Sequence, residues 1–184
     1  MQDYNDTCIT TYIIGRHTDS FIGKNEFELH TIESEKSRWE IVREIVQHSI
    51  ETIDDAVTIC FDGHRFTGNY SSEQFVKDII YSHSMGTHLL IGGCDGFFNA
   101  MPISRRLFWV DHIENTNFFV VFRSAYERIV QSVQEEQESL ESILSRSLSN
   151  KLLLVPQIST CDGSSKADEQ ITTYIKIINK YNLL

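Results

Sequence analysis

The residue types best suited to chemistry follow two apolar, β-branched runs of the sequence. The first run, residues 57–61 (VTICF), is followed by Asp62, Gly63 and His64. Alternate residues of a strand share one face, so Cys60, Asp62 and His64 would point the same way if the strand continued to the histidine. A carboxylate and an imidazole at this spacing can both bind a divalent metal ion. The alternative is a turn at Asp62 and Gly63, because both residue types favour turns.

The second apolar run, residues 89–91, leads into a glycine-rich loop, residues 92–96, that contains Gly92, Gly93 and Asp95. Because glycine has no Cβ atom, backbone N–H groups in this loop could approach a phosphate or a sugar closely. The loop has neither the G-x-G-x-x-G spacing of dinucleotide-binding proteins nor the lysine of a P-loop. The alternative interpretation of these residues is a tight turn that binds no ligand.

Two further polar groups follow this loop. Arg105 and Arg106 form the only adjacent basic pair of the sequence. They could neutralise a diphosphate, or they could form a solvated turn. Asp111 begins a polar cluster that extends to Asn117, between two aromatic-rich runs. A carboxylate there could act as a general base or bind a sugar hydroxyl, and a polar hairpin loop is the alternative.

A sheet must position these residues, and the sequence contains several runs of β-branched and aromatic residues that predict strands. The run at residues 27–32 alternates apolar and polar side chains, which indicates one solvated face. The others are continuous apolar runs, which indicate strands buried on both faces. Strands are predicted at residues 8–15, 27–32, 56–61, 87–91, 107–110, 118–122 and 152–156.

Helices are predicted between these strands. A capping box, Ser37-x-x-Glu40, precedes apolar residues at helical spacing. The predicted helices occupy residues 37–53, 71–86, 124–148 and 168–181, and Gly86 is expected to end the second one in the left-handed conformation. The polar, acidic middle of the third, residues 134–141, is interpreted as a solvated helical face, with a break as the alternative. The order β-β-α-β-α-β predicts an α/β fold. We expect a Rossmann-like, mainly parallel sheet with helices on both faces, in a single domain over residues 1–184.

Composition limits the partners and the compartment. The chain has 184 residues and a formal net charge of -10, which argues against nucleic-acid binding because that requires clustered Lys and Arg. No apolar run approaches the ~20 residues of a membrane span, and the first residues lack the pattern of a signal peptide. The four cysteines are widely spaced, which is typical of thiols in a reducing compartment. We expect a cytoplasmic protein.

The block from Asp55 to about Arg128 resembles a group of bacterial GT-A-type glycosyltransferases. The likeness extends to the first strand and to the late strand, and so covers most of the chain. It is carried by residues 56–67 (AVTICFDGHRFT), 92–93 (GG), 102 (P), 109–111 (WVD), 116–119 (TNFF), 150–151 (NK) and 156–159 (PQIS).

The resemblance implies a GT-A-like domain that uses a nucleotide-diphosphate sugar as donor and an unidentified acceptor hydroxyl. An acidic motif in such enzymes holds Mn²⁺ or Mg²⁺, which offsets charge on the departing nucleotide diphosphate as a Lewis acid. By position, Asp62 and His64 would hold the metal and Asp111 would be the catalytic base or an acceptor contact. The implied donor-binding residues are Thr11, Gly92, Gly93, Asp95 and Arg105.

The sequence also departs from the family pattern. Phe61 and Gly63 stand where the family usually has acidic residues. One carboxylate and one imidazole make a weaker Mg²⁺ site than two carboxylates, because hard cations prefer oxygen. The first hypothesis is therefore a sugar-nucleotide-dependent glycosyltransferase, and the second is a catalytically inactive GT-A-like domain that binds a sugar, a nucleotide or a protein. A third is an unrelated metal-dependent phosphotransferase or hydrolase that uses Asp62 and His64.

Overall fold

The protein is built on two β-sheets, and the computed structural model describes residues 8–16, 19–161 and 166–181. The strands, in chain order, are β1 (Ile9–Ile14), β2 (Phe27–Ile32), β3 (Ala56–Phe61), β4 (His64–Phe66), β5 (Leu89–Gly93), β6 (Gly96–Pro102), β7 (Leu107–Glu114), β8 (Phe118–Phe122), β9 (Lys151–Leu154) and β10 (Ser159–Cys161). Eight of them form one sheet in the order β2-β1-β3-β8-β5-β9-β7-β6, and β4 pairs with β10 in a second sheet.

The large sheet has a set of strands that share one direction. β1 pairs in parallel with β2 and with β3, and β5 pairs in parallel with β9. β8 is antiparallel to both β3 and β5, so these two strands also share a direction. The ends of β1, β2, β3, β5 and β9 therefore point the same way, and we call that side of the sheet the carboxyl edge.

In the part of the chain that the structure describes, five α-helices cover the sheet: α1 (Arg38–Glu51), α2 (Ser72–Ser84), α3 (Arg123–Gln131), α4 (Leu140–Ser147) and α5 (Lys166–Tyr181). Buried side chains of α1, α3, α4 and α5 pack in the core on one face. Buried side chains of α2 pack in the core on the other face. The predicted α/β class with helices on both faces is confirmed. The sheet is mainly parallel in that six of its eight strands share one direction, while β7 and β8 run antiparallel to their neighbours. In the described part of the chain, no helix has the length and apolar character needed to cross a membrane.

Local sequence signals explain where several helices begin and end. Ser37 Oγ accepts a hydrogen bond from Glu40 N, and Glu40 Oε2 accepts one from Ser37 N at 2.8 Å, so the predicted capping box is formed. Ser71 caps α2 through Gln74 N. Gly86 follows α2 with φ of 65°, as predicted for a residue that ends a helix in the left-handed conformation.

The region of residues 124–148 does not form the continuous helix predicted first, and the alternative, a break in its polar middle, is what the structure shows. Two helices, α3 and α4, occupy this region instead, because the polar stretch between them has no apolar face to bury. Ser124 does not cap a helix, since its Oγ donates to Thr87 O at 2.8 Å. Ser139 caps α4 instead, by accepting a hydrogen bond from Ser142 N.

The prediction for the region around Asp111 also needs correction. The polar cluster lies mainly in β7, which continues to Glu114, and not in a hairpin loop. Within this strand Val110 and Ile113 are buried, Asp111 is half-buried and His112 is exposed. β6, which pairs with β7, has no counterpart among the predicted strands.

Candidate functional site

A recess of about 600 Å³ opens at the carboxyl edge, where β1, β2 and β3 end side by side. Ligands of open α/β sheets bind in this kind of position, beyond the carboxyl ends of the strands. We call it the edge recess, and its lining residues are Ile14, Gly15, Arg16, Ile32, Glu33, Ser34, Glu35 and Asp62.

A turn at the end of β3 places Asp62 in this recess. Asp62 N donates to Ile14 O at 2.9 Å, and Asp62 Oδ1 accepts from Gly63 N at 3.1 Å. Gly63 has φ of 80°, so β3 ends here and the turn alternative is the one that forms. Gly15 has φ of 130°, and a Cβ atom on it would lie 2.5 Å from Asp62 Cβ. The close approach of β1 and Asp62 therefore requires glycine at position 15.

The edge recess is rich in carboxylates. Among the described lining residues, the carboxylates Asp62, Glu33 and Glu35 face one cation, Arg16, whose Nη2 lies 3.2 Å from Glu33 Oε2 in an exposed ion pair. Carboxylate oxygens accept hydrogen bonds from the hydroxyl groups of a sugar or a ribose. The excess of negative charge opposes a diphosphate unless Arg16 or a bound cation offsets it.

His64 lies on the other side of the turn, in β4, and its ring is buried among aromatic rings. The imidazole stacks on Phe118, with ring centroids 5.0 Å apart, and also contacts Phe21 and Phe66. Burial, with a smaller contribution from the Lys24 ammonium, lowers the pKa of His64 to about 4. His64 is therefore neutral at pH 7.

A second recess, of about 700 Å³, is bordered by His64. We call it the aromatic recess, and its lining residues are Asp19, Ser20, Lys24, Gly63, His64, Arg65, Phe66, Thr67 and Tyr70. Asp62 lines the edge recess and His64 lines this one, so the two side chains do not fit as joint ligands of one Mn²⁺ or Mg²⁺ ion. Among the residues that the structure describes, no group of three or more His, Cys, Asp or Glu side chains could hold a metal ion.

The two loop glycines predicted to approach a donor are packed by the protein itself. A Cβ atom on Gly92 would lie 2.5 Å from Phe118 Cδ1. One on Gly93 would lie 2.5 Å from the backbone oxygen of Ser159 and would also collide with Asn117 Oδ1. The close approach that these glycines permit is therefore an approach of other parts of the chain.

Thr11 and Asp111 lie within strands. Thr11 is wholly buried in β1, and its Oγ1 donates to Ile9 O at 2.9 Å. Asp111 is half-buried in β7, and its Oδ2 accepts from Asn99 Nδ2 of β6 at 3.3 Å. The structure does not place either of them in the lining of the edge recess.

Asp95 and Arg105 lie in connections between strands. Asp95 Oδ2 accepts from Asn115 Nδ2 at 3.2 Å, in the turn that leads from β5 to β6. Arg105 is exposed between β6 and β7. Its neighbour Arg106 is held internally, with Nη2 2.7 Å from the buried carboxylate of Asp78. Asp62 is the only one of the residues predicted for catalysis, donor binding or metal binding that lines the edge recess.

Sequence reasoning missed several residues of the two recesses. Glu33 and Glu35 directly follow the predicted strand at residues 27–32, and Gly15 ends the first predicted strand. The rule that ligands bind beyond parallel strands could have selected these three. Lys24 and Tyr70 carry no comparable signal, because they reach the aromatic recess from loops outside the predicted elements.

The buried imidazole predicts a dependence of stability on pH. In the unfolded chain His64 has its ordinary pKa of 6.5, so the unfolded state binds a proton that the folded state resists until about pH 4. The contribution of the neutral His64 to the free energy of unfolding is complete above pH 6.5 and is lost as the pH falls toward 4. Between about pH 7.5 and pH 5 the wild type should lose about 2 kcal/mol more than the His64→Phe variant.

Urea denaturation of both proteins across this pH range measures the difference. The other titrating groups are shared by wild type and variant, so their contributions cancel in the comparison. Parallel stability–pH curves for the two proteins would show that His64 becomes protonated in the folded state as readily as in the unfolded chain.

No protein-family model matches the sequence, and no curated protein is significantly similar to it. In three-dimensional structure the chain is similar to A197 from STIV, with a TM-score of 0.60 and 11% identity over 88% of this chain and 91% of that one. A weaker likeness is to HddC from Yersinia pseudotuberculosis, with a TM-score of 0.48 and 12% identity over 95% of this chain and 79% of that one. Another is to a UDP-glucose pyrophosphorylase complexed with UDP-glucose, with a TM-score of 0.46 and 7% identity over 85% of this chain and 66% of that one. The likeness to A197 shows the fold alone, and the weaker ones assign no activity to this chain.

Proposed function

We propose that the protein binds a nucleotide-diphosphate sugar at the edge recess and transfers its sugar to an acceptor hydroxyl. The observation that supports this proposal is the meeting of Arg16, Glu33 and Asp62 beyond three strands of one direction. Carboxylates at such an edge can accept hydrogen bonds from ribose or sugar hydroxyls, and Arg16 can bind the diphosphate. The resemblance of residues 56–67 to GT-A-type glycosyltransferases points to the same ligand class.

In the proposed reaction the acceptor oxygen attacks the anomeric carbon, and the bond from that carbon to the diphosphate oxygen breaks. The nucleotide diphosphate leaves with the bonding electron pair, and the hydroxyl proton passes to a carboxylate. The carboxylates that line the edge recess are Asp62, Glu33 and Glu35. Asp111, which the sequence resemblance implies as base or acceptor contact, lies in β7, and three strands separate β7 from β3 in the large sheet. Asp62 and His64 lie in different recesses, so no step is assigned to a metal ion held by this pair.

Thermal unfolding against a panel of nucleotide sugars, with and without Mn²⁺, tests donor binding. A ligand at 100 times its dissociation constant stabilises a folded protein by about 2.7 kcal/mol. For a chain of this size that corresponds to a rise in Tm of roughly 5–10 °C. We expect one nucleotide sugar to give such a shift, and the Asp62→Ala variant to lose it.

Asp55 supplies a matched control, because it is an exposed aspartate at the opposite end of the same strand. The Asp55→Ala variant should keep the shift. A flat response of the wild type across the panel, or a shift that Asp62→Ala retains, would contradict donor binding at this recess. Release of free nucleotide diphosphate from the bound donor, measured with a coupled assay, then tests the transfer step.

A second candidate function is a sugar-binding domain without catalysis. Among the described residues, three carboxylates and one guanidinium line the edge recess, and this excess of negative charge favours a neutral polyhydroxylated ligand over a diphosphate. The internal packing of Gly92 and Gly93 favours the same reading, because it leaves no approach for a donor there. Stabilisation by free monosaccharides equal to that by any nucleotide sugar would select this function.

A further inference from the structure

The aromatic recess has the opposite electrostatic character from the edge recess. Among the described residues that line it, Lys24 and Arg65 accompany one carboxylate, Asp19, although the whole chain has a formal net charge of -10. Lys24 is half-buried, and within the described residues no carboxylate forms an ion pair with it. A local excess of positive charge on an acidic protein attracts a small anion to this place.

Lys24 is held in position by aromatic rings. Its Nζ lies 4.8 Å from the centroid of the Phe66 ring and 4.4 Å from that of Tyr70. The Tyr70 hydroxyl donates to Glu26, so the second ring is itself anchored. Because the ammonium already covers these two rings, they do not offer a free face on which a nucleobase could stack. The ammonium is a fixed positive group at the wall of the recess.

The border of the recess also carries two buried polar atoms without hydrogen-bond partners among the described residues, His64 Nε2 and Ser20 Oγ. Ser159 Oγ donates its single proton to Asn117 Oδ1 at 3.3 Å, and it lies 2.6 Å from His64 Nδ1. In the tautomer in which Ser159 Oγ keeps its proton on Asn117 Oδ1, Ser159 accepts from Nδ1–H and Nε2 carries a lone pair. In that tautomer the unused group of His64 is an acceptor, and a hydroxyl is a suitable donor for it.

We propose that the aromatic recess binds a small anion that carries hydroxyl groups, of the class of sugar acids and sugar phosphates. The anionic group pairs with Lys24 and Arg65. A hydroxyl group donates to His64 Nε2, directly or through one bound water, and Ser20 Oγ is available to a neighbouring hydroxyl. This proposal rests on the aromatic recess alone and holds whether or not a nucleotide sugar binds at the edge recess.

Isothermal titration calorimetry on the whole chain tests the proposal. The probes are the 6-phosphates and the uronates of glucose, galactose and mannose, compared with the three free sugars and with inorganic phosphate. At least one anionic sugar should bind at least ~10-fold more tightly than its free sugar and than phosphate, because both charge-assisted and hydroxyl contacts contribute. The same probe should change the ¹⁵N shift of His64 Nε2 in a long-range ¹H–¹⁵N spectrum.

Two lysine variants provide the matched comparison. Lys24→Met should weaken binding of that probe by ~10-fold or more, because a charge-assisted contact is lost. Lys77→Met removes an exposed lysine of α2 that pairs with Glu73, and it should leave the affinity unchanged. The proposal is overturned if no anionic sugar binds, if phosphate alone binds as tightly, or if Lys24→Met binds like the wild type. Binding that depends on Asp62 but not on Lys24 would support only the edge recess and would also overturn it.

Discussion

Replacing Gly93 with alanine is expected to lower the free energy of unfolding by about 3 kcal/mol, because the new methyl group has no space. Its carbon would lie 2.5 Å from Ser159 O and would also collide with Asn117 Oδ1. The Ser159 oxygen belongs to the backbone of β10 and cannot move away as the end of a flexible side chain could. Urea denaturation of wild type and variant, followed by circular dichroism, measures the loss.

Gly68 is the matched control for this substitution. It is an exposed loop glycine, and a Cβ atom on it would meet nothing within 4 Å. The Gly68→Ala variant should therefore stay within about 0.5 kcal/mol of the wild type. If Gly93→Ala proved as stable as Gly68→Ala, the space beside Gly93 would be open, and the interpretation of this loop as a ligand-binding loop would regain its support.

The crowding at Gly93 shows how the end of β5 is closed. Ile158 N donates to Gly92 O at 3.0 Å, and Cys94 N donates to Gln157 Oε1 at 2.6 Å. The segment after β9 thus lies across the end of β5 and occupies the place where a phosphate could otherwise meet backbone N–H groups. Any ligand at the carboxyl edge is left with the side of β1, β2 and β3, where the edge recess lies.

Much of the fold could be predicted from the sequence because its signals are local. The capping box at Ser37 and Glu40 fixes the start of α1, and the apolar run at residues 118–122 matches β8 in both of its ends. The run at residues 27–32 matches the bounds of β2 equally well, although Phe27 is its only buried residue. Strand and helix periodicities are set by neighbouring residues, so a single sequence is enough to identify them.

The candidate site could be predicted only in part, because its geometry depends on contacts between distant parts of the chain. The sequence shows that Gly92 and Gly93 would permit a close approach of a ligand, but it does not show that Phe118 and Ser159 fill the space beside them. It places Asp62 and His64 two residues apart, and the left-handed conformation of Gly63 then sends them into different recesses. Periodicity does not encode either outcome.

The second large effect is expected for Arg38→Met, which should lower the free energy of unfolding by about 3 kcal/mol. Arg38 Nη1 donates to Glu141 Oε1 at 2.9 Å, and the guanidinium lies 3.7 Å from the centroid of the Phe61 ring. Glu141 is only 6% exposed, and the other donor to its Oε1 among the described residues is Thr116 N, at 3.0 Å. Removing the cation leaves a buried carboxylate with one neutral partner. The expected loss is at the low end of the range for breaking a buried ion pair, because 40% of the Arg38 side chain is exposed and water can reach Glu141.

A double-mutant comparison by urea denaturation separates this cause from lost packing. In Arg38→Met/Glu141→Gln the buried group is neutral, so the double variant should regain at least about 1 kcal/mol over Arg38→Met. Arg16→Met, which breaks an ion pair between two exposed side chains, should cost about 1 kcal/mol or less. If Arg38→Met cost no more than Arg16→Met, Glu141 would be adequately solvated without its partner. The turn that leads from β7 to Asn117, and so to Gly93, would then be held by backbone contacts rather than by the Arg38–Glu141 pair.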